Sequence, residues 1–389
     1  MNHLQIERAE KLDDMLRAFR LEPLDESELS RFYCDKTMVI RTGDQWSSPM
    51  DDLFDACTTP LARNAHILLG HRGCGKSTEL YNLKKRFEQV GQPMQIIDVI
   101  TDTDIFQITY WDIIILITDG LFKIANDNSL MLPGKILERV HNYLNNILVR
   151  ITESGGSTFF SKEGRLEVAT SYRLLNTFAA IKGEMKCSLS SRRIIIEEME
   201  RHVAVWVYYA KEISDRISDL VKQPILIFEN TDKIQPLERV FNVFCHSILA
   251  QMPFPVIYTF PISSYNDSQF SSIKDLYKPH ILPMIRVKNT DGCECKDGID
   301  VILEIVNLRA DSSLFDNAAL HMLIRQTGGV LRDLFTCITS ATRRANRRGA
   351  NKIEVEDAEQ ALLVLKSELA RQNTRIDVLP SKLDVKNER

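Results

Sequence analysis

Residues 66–77 read His-Ile-Leu-Leu-Gly-His-Arg-Gly-Cys-Gly-Lys-Ser. The last eight match G-x-x-x-x-G-K-[ST], the pattern of a phosphate-binding P-loop. The apolar run before them predicts a short buried strand, and the spacing of apolar side chains from Lys76 to Val90 predicts a helix after them. Because a P-loop connects a strand to a helix in this order, the context favours the motif over a glycine turn with a surface lysine.

The composition of this loop predicts a nucleotide-binding site. Glycines allow backbone N–H groups to turn inward toward phosphate oxygens, and the following helix directs its positive end at the same anion. Lys76 is expected to reach the β- and γ-phosphates, and the Ser77 hydroxyl to ligate Mg²⁺. His71 is interpreted as a loop residue rather than a catalyst. The predicted nucleotide-binding residues of the loop are Gly70, His71, Arg72, Gly73, Cys74, Gly75, Lys76, Ser77 and Thr78.

An acidic segment follows the apolar run at residues 225–228. A P-loop needs an acid at the end of a neighbouring strand to hold the water shell of the metal ion, and Glu229 is in that position. The next residue is usually a glutamate that activates water, but here it is Asn230, whose amide cannot accept a proton. Asp232 would partly substitute if the loop bends inward. Ser77 and Glu229 are therefore the predicted metal ligands.

The order of apolar runs predicts an α/β fold with a parallel sheet. Strand, helix and strand over residues 66–99 form a βαβ unit, which joins parallel strands. Further strands are predicted at 225–228, 256–260 and 281–287. The predicted domains are a lead-in segment (1–60), a P-loop core (61–287) with a helical insertion (about 104–222), a helical lid (298–369) and a polar tail (370–389).

Composition excludes several classes of protein. The 389 residues are 44% hydrophobic and 26% charged, with a formal net charge of −4, which excludes a disordered chain or a small disulfide scaffold. The charge balance gives no global basic field for nucleic acid and leaves only a local patch. The N-terminus lacks the apolar segment of a signal peptide, and the apolar run at 113–117 is far shorter than the ~18 residues that a bilayer requires. We therefore expect a cytoplasmic protein without a membrane segment.

Together these motifs resemble AAA+ ATPases, and most closely their STAND and origin-initiator-like branch in bacteria. The resemblance covers roughly residues 45–365 and includes Gly-Gly-Val-Leu-Arg-Asp at 328–333. It implies an AAA+-like P-loop core with an all-α lid, and ATP and Mg²⁺ as cofactors. It also implies Arg332 as sensor 2, and a sensor 1 among Thr259, Ser263 and Ser264 that reads the γ-phosphate. The predicted catalytic residues are Lys76, Glu229, Asp232 and Arg332, and Ser263 joins the nucleotide-binding set.

Two departures from the family pattern predict slow or no hydrolysis. The first is Asn230 in place of the catalytic glutamate. The second is that no arginine lies between Arg239 and Arg286, where AAA+ rings usually carry an arginine finger. Lys274 and Lys278 lie there, but a lysine lacks the forked geometry of a guanidinium. These departures favour a nucleotide-dependent switch over a fast motor.

Three functions follow as hypotheses. The first is an ATP-binding switch that forms a homo-oligomer or controls a separately encoded effector protein, with bacterial antiviral defence as a context implied by the resemblance alone. The insertion is then the expected protein-binding surface. The second is a DNA-transaction ATPase, similar to initiators or transposition regulators, in which a basic cluster contacts DNA phosphates. The third is a pseudo-ATPase scaffold that binds nucleotide constitutively. The basic cluster consists of Arg343, Arg344, Arg347 and Arg348.

Overall fold

The computed structural model describes residues 6–43, 47–59, 64–153 and 171–377. These residues form two compact units. The sheet unit contains the described residues of 47–71 and 76–282, and the helical unit contains those of 1–46, 72–75 and 283–389. The strands are β1 (Ala65–Gly70), β2 (Met94–Asp98), β3 (Ile225–Glu229), β4 (Val256–Pro261) and β5 (Lys278–Leu282). The helices are α1 (Leu12–Ala18), α2 (Glu26–Phe32), α3 (Lys36–Thr42), α4 (Pro49–Thr58), α5 (Lys76–Gln89), α6 (Val99–Asp102), α7 (Tyr110–Asp127), α8 (Gly134–Glu153), α9 (Ser171–Cys187), α10 (Leu189–Arg201), α11 (Val203–Leu220), α12 (Leu237–Phe244), α13 (Ser247–Ala250), α14 (Phe270–Leu276), α15 (Lys296–Arg309), α16 (Asn317–Gln326), α17 (Leu331–Arg347) and α18 (Val355–Asp377).

The sheet is parallel and has the strand order β2-β3-β4-β1-β5. Strands β1 and β3 are buried along their whole length, which explains why their sequences read as continuous apolar runs rather than alternating ones. The P-loop follows β1, and Glu229 is the last residue of β3. In open parallel sheets, ligands bind outside the carboxyl ends of the strands, where both features lie. The predicted fold class, a parallel α/β P-loop core with a large helical insertion and an all-helical C-terminal part, is confirmed.

The helical insertion occupies the connection between β2 and β3 and comprises α6 to α11. Helix α7 is its centre, because 14 of its 18 residues are buried. A buried ion pair joins α10 to α7, in which Arg192 Nη1 lies 3.0 Å from Asp112 Oδ1. Lys182 of α9 bonds both Asp119 of α7 (2.7 Å) and Asp102 of α6 (3.2 Å), so it joins three helices of the insertion.

The last strand lies earlier in the chain than the sequence predicts. The sequence predicts it at 281–287, but β5 spans Lys278–Leu282 and Pro283 follows it. The first residues of β5 are polar, so the apolar pattern does not indicate a strand there. Pro279 is tolerated because β5 is an edge strand of the described sheet. His280 is buried, with its Nε2 3.3 Å from Nδ1 of His66 on β1. Burial lowers the pKa of His280 to about 3, so the imidazole is neutral in the folded sheet.

The helical unit combines helices from both ends of the chain. Helix α1 packs against α17, and α2 and α3 pack against α15. Phe19 stacks edge-on against Phe335 (centroids 5.3 Å apart), and Arg309 donates to the carbonyl of Phe32. Residues 6–43 thus share a core with residues 283–377, whereas the sequence interpretation set 1–60 apart as a lead-in segment. Within the described ranges, no helix combines the length and the apolar content needed to cross a bilayer.

Candidate nucleotide-binding site

The loop between β1 and α5 has the backbone of an anion-binding turn. Gly73 (φ 82°) and Gly75 (φ 98°) adopt left-handed conformations that residues with a Cβ rarely take. At Gly73 a second reason applies, because an added Cβ would lie 2.7 Å from Cβ of Arg332. The two glycines therefore allow both the turn and the close approach of α17.

Lys76 begins α5 and its side chain is buried, with 7% of its surface exposed. The Nζ atom donates to the carbonyls of Gly70 (2.9 Å) and His71 (3.2 Å), so the side chain folds back over the loop. It also forms an ion pair with Asp232 (2.9 Å), which lies just after β3. An ammonium on a flexible four-carbon stem, held beside the turn by a carboxylate, can exchange that partner for a phosphate.

Ser77 and Glu229 lie together at the carboxyl end of β3. The Ser77 hydroxyl donates a hydrogen bond to the Glu229 carboxylate, and Glu229 is only 5% exposed. Burial raises the pKa of Glu229, the Ser77 hydrogen bond opposes this shift, and the neighbouring charge of Asp98 adds to it. A hydroxyl and a buried acid in contact form the pair of protein oxygens that holds Mg²⁺ in P-loop proteins.

Asn230 has a different environment from that of a catalytic base. Its backbone is left-handed (φ 66°), a conformation that Asn tolerates better than most residues. Its Nδ2 donates to Oδ1 of Asp98 at 2.7 Å. Asp98 also caps α6 by accepting from the N–H of Ile100. The side chain of Asn230 therefore tethers the end of β3 to the end of β2.

Of the three sensor 1 candidates, the structure places Thr259 beside the acids. Thr259 is buried on β4, and its Oγ1 lies 3.4 Å from Oδ1 of Asp232. Ser264 is also buried, but its hydroxyl donates to the carbonyl of Pro261 at 2.6 Å. Ser263 is exposed in the 3₁₀ turn Ile262–Asn266. The structure thus brings Thr259, rather than Ser263, to the cluster around Lys76.

Arg332 lies in the first turn of α17, in the same unit as the P-loop tip at 72–75. Its Nε atom is buried and has no hydrogen-bond partner among the described residues. Gly329, just before α17, lies against the backbone of Ile285. A Cβ at this position would lie 2.1 Å from the carbonyl oxygen of Ile285. This guanidinium N–H is buried beside the tip of the P-loop and lacks an acceptor. A bound anion would supply that acceptor.

Sequence reasoning missed one residue of this site, Arg41. It is 4% exposed, and its Nη2 donates to the carbonyl of Cys74 in the P-loop at 2.6 Å. Its Nη1 donates to the carbonyl of Pro283. Arg41 belongs to no motif and lies 33 residues before Cys74, so no local signal in the sequence indicates this contact.

The remaining predicted residues are less enclosed. His71 and Arg72 are exposed, and Thr78 is half-buried in the first turn of α5. The basic cluster at the C-terminal end of α17 is divided, because Arg344 and the capping residue Arg348 pair with Asp357 at 3.4 and 2.8 Å. Arg343 and Arg347 are exposed, and in the described part of the chain they form no ion pair.

The residues present fit a nucleotide with its magnesium ion. Within the sheet unit, Lys76 supplies a cation, and Ser77 and Glu229 supply oxygens for the metal ion. Within the helical unit, the loop tip at 72–75 supplies backbone N–H groups, and Arg332 has an unsatisfied buried donor. The described residues contain no cluster of three or more His, Cys, Asp or Glu side chains suited to a metal. Mg²⁺ needs no such cluster, because it keeps several waters and binds through one or two protein oxygens and phosphate oxygens.

Comparisons with known proteins give a likeness of shape at low identity. No protein-family model matches the sequence, and no curated protein matches it. Among solved structures, the chain is similar to the Orc1 protein of Aeropyrum pernix in complex with DNA, with 13% identity and a TM-score of 0.41, over 83% of this chain and 67% of that one. It is similar to Cdc6p of Pyrobaculum aerophilum, with 13% identity and a TM-score of 0.39, over 87% and 70%. It is also similar to the Drosophila ORC bound to DNA, with 11% identity and a TM-score of 0.38, over 96% and 70%. At this level the likeness concerns the fold alone, and the STAND branch stays a prediction.

Proposed function

We propose that this protein is a nucleotide-dependent switch that binds ATP with Mg²⁺ and hydrolyses it slowly. The observation that carries the proposal is the pairing of P-loop side chains with acids at the end of β3. Ser77 donates to Glu229, and Lys76 forms an ion pair with Asp232. These contacts unite two motifs that lie more than a hundred residues apart in the sequence.

The chemistry assigned to these residues is mainly positioning. Phosphoryl transfer depends on placing the phosphate and neutralising its charge, for which Lys76 in the sheet unit is suited, and for which Arg332 in the helical unit is suited by its residue type. Mg²⁺, held by Ser77 and Glu229, would neutralise charge on the phosphate oxygens. Asn230 cannot accept a proton from water, and its amide is bonded to Asp98. Asp232 is the remaining acid, and its carboxylate is already engaged in the ion pair with Lys76.

A switch also needs a part of the protein that responds to the nucleotide. Arg332 lies in the first turn of α17 and closely approaches Gly73 at the tip of the P-loop, within the helical unit. A guanidinium that bonds a phosphate oxygen would make the packing of α17 depend on whether the nucleotide carries a γ-phosphate. Sensor 2 for Arg332 and sensor 1 for Thr259 are the roles that this proposal assigns.

The rate of turnover tests the proposal. We expect wild-type turnover to stay well below the ~1 s⁻¹ at which many enzymes begin. Asn230→Glu supplies a carboxylate at the usual base position and should raise the rate roughly tenfold or more, since general bases contribute about 10²–10⁴-fold and part is lost to repulsion from Asp98. Steady-state phosphate release measures both rates.

Asn230→Gln is the matched control, because it changes the side-chain length and keeps an amide. It should leave turnover at the wild-type level. Adding Asp98→Asn to Asn230→Glu should raise the rate further by removing the repulsion between the two carboxylates. Fast wild-type turnover, or no response to Asn230→Glu in either background, would show that Asn230 does not limit hydrolysis. Binding without any turnover would instead identify a pseudo-ATPase scaffold.

DNA binding is the second candidate function. Arg343 and Arg347 favour it, because both are exposed on α17 and neither is neutralised by Asp357, unlike Arg344 and Arg348. Unpaired exposed guanidinium groups on one helix suit contacts with DNA phosphates. The DNA bound in the Aeropyrum pernix Orc1 and Drosophila ORC structures is a property of those proteins and carries no argument for this chain. An effector partner, a homo-oligomer and a defence role stay predictions from the resemblance alone.

Salt dependence tests this second function. Wild-type protein should bind duplex DNA more weakly as salt rises, and Arg343→Gln with Arg347→Gln should lower the slope of log K against log [salt] by about 2. Arg344→Gln is the control on the same helix and should have little effect, since Asp357 already compensates its charge. Binding that is absent in the wild type at low salt, or is unchanged in the double variant, excludes this surface as a DNA contact.

A further inference from the structure

Arg41 is a buried cation that contacts the P-loop from outside the two ATPase motifs. It lies near the end of α3 and 4% of its surface is exposed. Its two terminal nitrogens donate to backbone carbonyls, those of Cys74 and Pro283, and its Nε is buried without a partner. No carboxylate pairs with it among the described residues. All of these groups belong to the helical unit.

A buried guanidinium without an acid is costly, because two carbonyl dipoles replace only part of its hydration. A buried polar group that is only partly satisfied calls for an explanation, and one explanation is a role in the site that it contacts. Here the contact is a peptide of the P-loop, and Gly75 also approaches the guanidinium, since an added Cβ there would lie 3.6 Å from Nη2 of Arg41.

Because the peptide bond is planar, the contact of Arg41 with the Cys74 carbonyl also determines the direction of the Gly75 N–H. The C=O of Cys74 and the N–H of Gly75 belong to one trans peptide, so they point in opposite directions. Holding the carbonyl against Arg41 at 2.6 Å turns the Gly75 N–H away from Arg41. We propose that Arg41 is a positioning residue that orients the Gly75 N–H toward bound phosphate, and so makes α3 part of the nucleotide-binding apparatus. The inference rests on the proposed function, because it concerns the same site.

Nucleotide affinity and stability, measured separately, test this role. Arg41→Ala should weaken binding of ATP with Mg²⁺ roughly tenfold, the loss expected for one charge-assisted hydrogen bond and the loop order that depends on it. Arg41→Lys keeps a cation and one donor but lacks the planar fork, so its affinity should fall between those of Arg41→Ala and the wild type. It also keeps the experiment decisive if Arg41→Ala does not fold. Calorimetric titration gives the affinities, and thermal unfolding without nucleotide gives the stability.

Arg309 provides the matched control. It is also a buried arginine of the helical unit, and its Nη1 donates to the carbonyls of Phe32 and Ile305, but it does not contact the P-loop. Arg309→Lys and Arg309→Ala should lower the melting temperature of the free protein and leave ATP affinity unchanged. A merely structural Arg41 would behave in the same way.

The outcomes separate this inference from the proposed function. If the wild type and Arg309→Lys bind ATP while Arg41→Lys binds as tightly as they do, Arg41 does not position the loop. If the wild type itself does not bind ATP, the proposed function fails. Weakened binding in both Arg41 variants, graded from lysine to alanine and missing in the Arg309 variants, supports the positioning role.

Discussion

Replacing Lys76 with alanine is expected to lower the affinity for ATP by roughly a hundredfold, since hydrogen bonds to charged groups contribute about 1.5–3 kcal/mol each. The ammonium lies over the loop, within 2.9 Å of the Gly70 carbonyl, on an otherwise buried side chain. No other lysine contacts this turn in the described residues, so no second ammonium replaces the lost one. Titration calorimetry with ATP and Mg²⁺ measures the effect.

Stability must be separated from binding in this experiment. Lys76→Ala leaves Asp232 without its ion-pair partner at a site where only 13% of its side chain is exposed, which destabilises the fold as well. Combining Lys76→Met with Asp232→Asn removes both charges and should restore stability while binding stays weak. If ATP affinity survives in the folded double variant, the P-loop assignment is wrong.

Glu229→Gln is expected to remove most of the gain that Mg²⁺ gives to ATP binding, and to lower turnover roughly a hundredfold, because the amide keeps the shape of the acid but loses the charge. Binding of ATP without Mg²⁺ should change little, since Lys76 and the loop N–H groups are untouched. Parallel titrations with and without Mg²⁺ give the two affinities. Glu238→Gln, an exposed acid on α12, is the control and should behave as the wild type.

The pH dependence offers a second measurement of the same group. Burial raises the pKa of Glu229 above its usual 4.5. A proton therefore competes with Mg²⁺ at higher pH than for an exposed glutamate, and the gain from Mg²⁺ should fade as pH falls through the raised pKa. In Glu229→Gln this pH dependence should disappear. A gain from Mg²⁺ that is independent of pH and survives in the variant would place the metal on other residues.

The sheet could be predicted largely from sequence because its three central strands are covered on both faces. Strands β1, β3 and β4 are apolar almost throughout, so each is visible as an uninterrupted run. Strand β5 was predicted three residues too late. Its first residues are Lys, Pro and His, and only pairing with β1 and burial of His280 make them a strand.

The anion-binding groups of the P-loop could also be predicted, because its residues are consecutive in the sequence. Glycine positions, the lysine and the serine lie within eight residues, and their spacing alone determines which backbone and side-chain groups face an anion. The roles of Glu229 and of Asn230 followed from residue type and from their place after an apolar run. The structure adds the contacts of these residues with Ser77 and Asp98.

What the sequence determined by itself is therefore what depends on neighbours along the chain: the parallel α/β class, the P-loop motif between a strand and a helix, and the asparagine that follows Glu229. Only the tertiary structure decided which distant side chains meet that turn. Arg41 reaches Cys74 from α3, Arg332 reaches Gly73 from α17, and Thr259 rather than Ser263 lies beside Asp232. The physical reason is that hydrogen bonds and close packing act over a few ångströms in space, and residue spacing does not encode such contacts once helices and strands separate the partners.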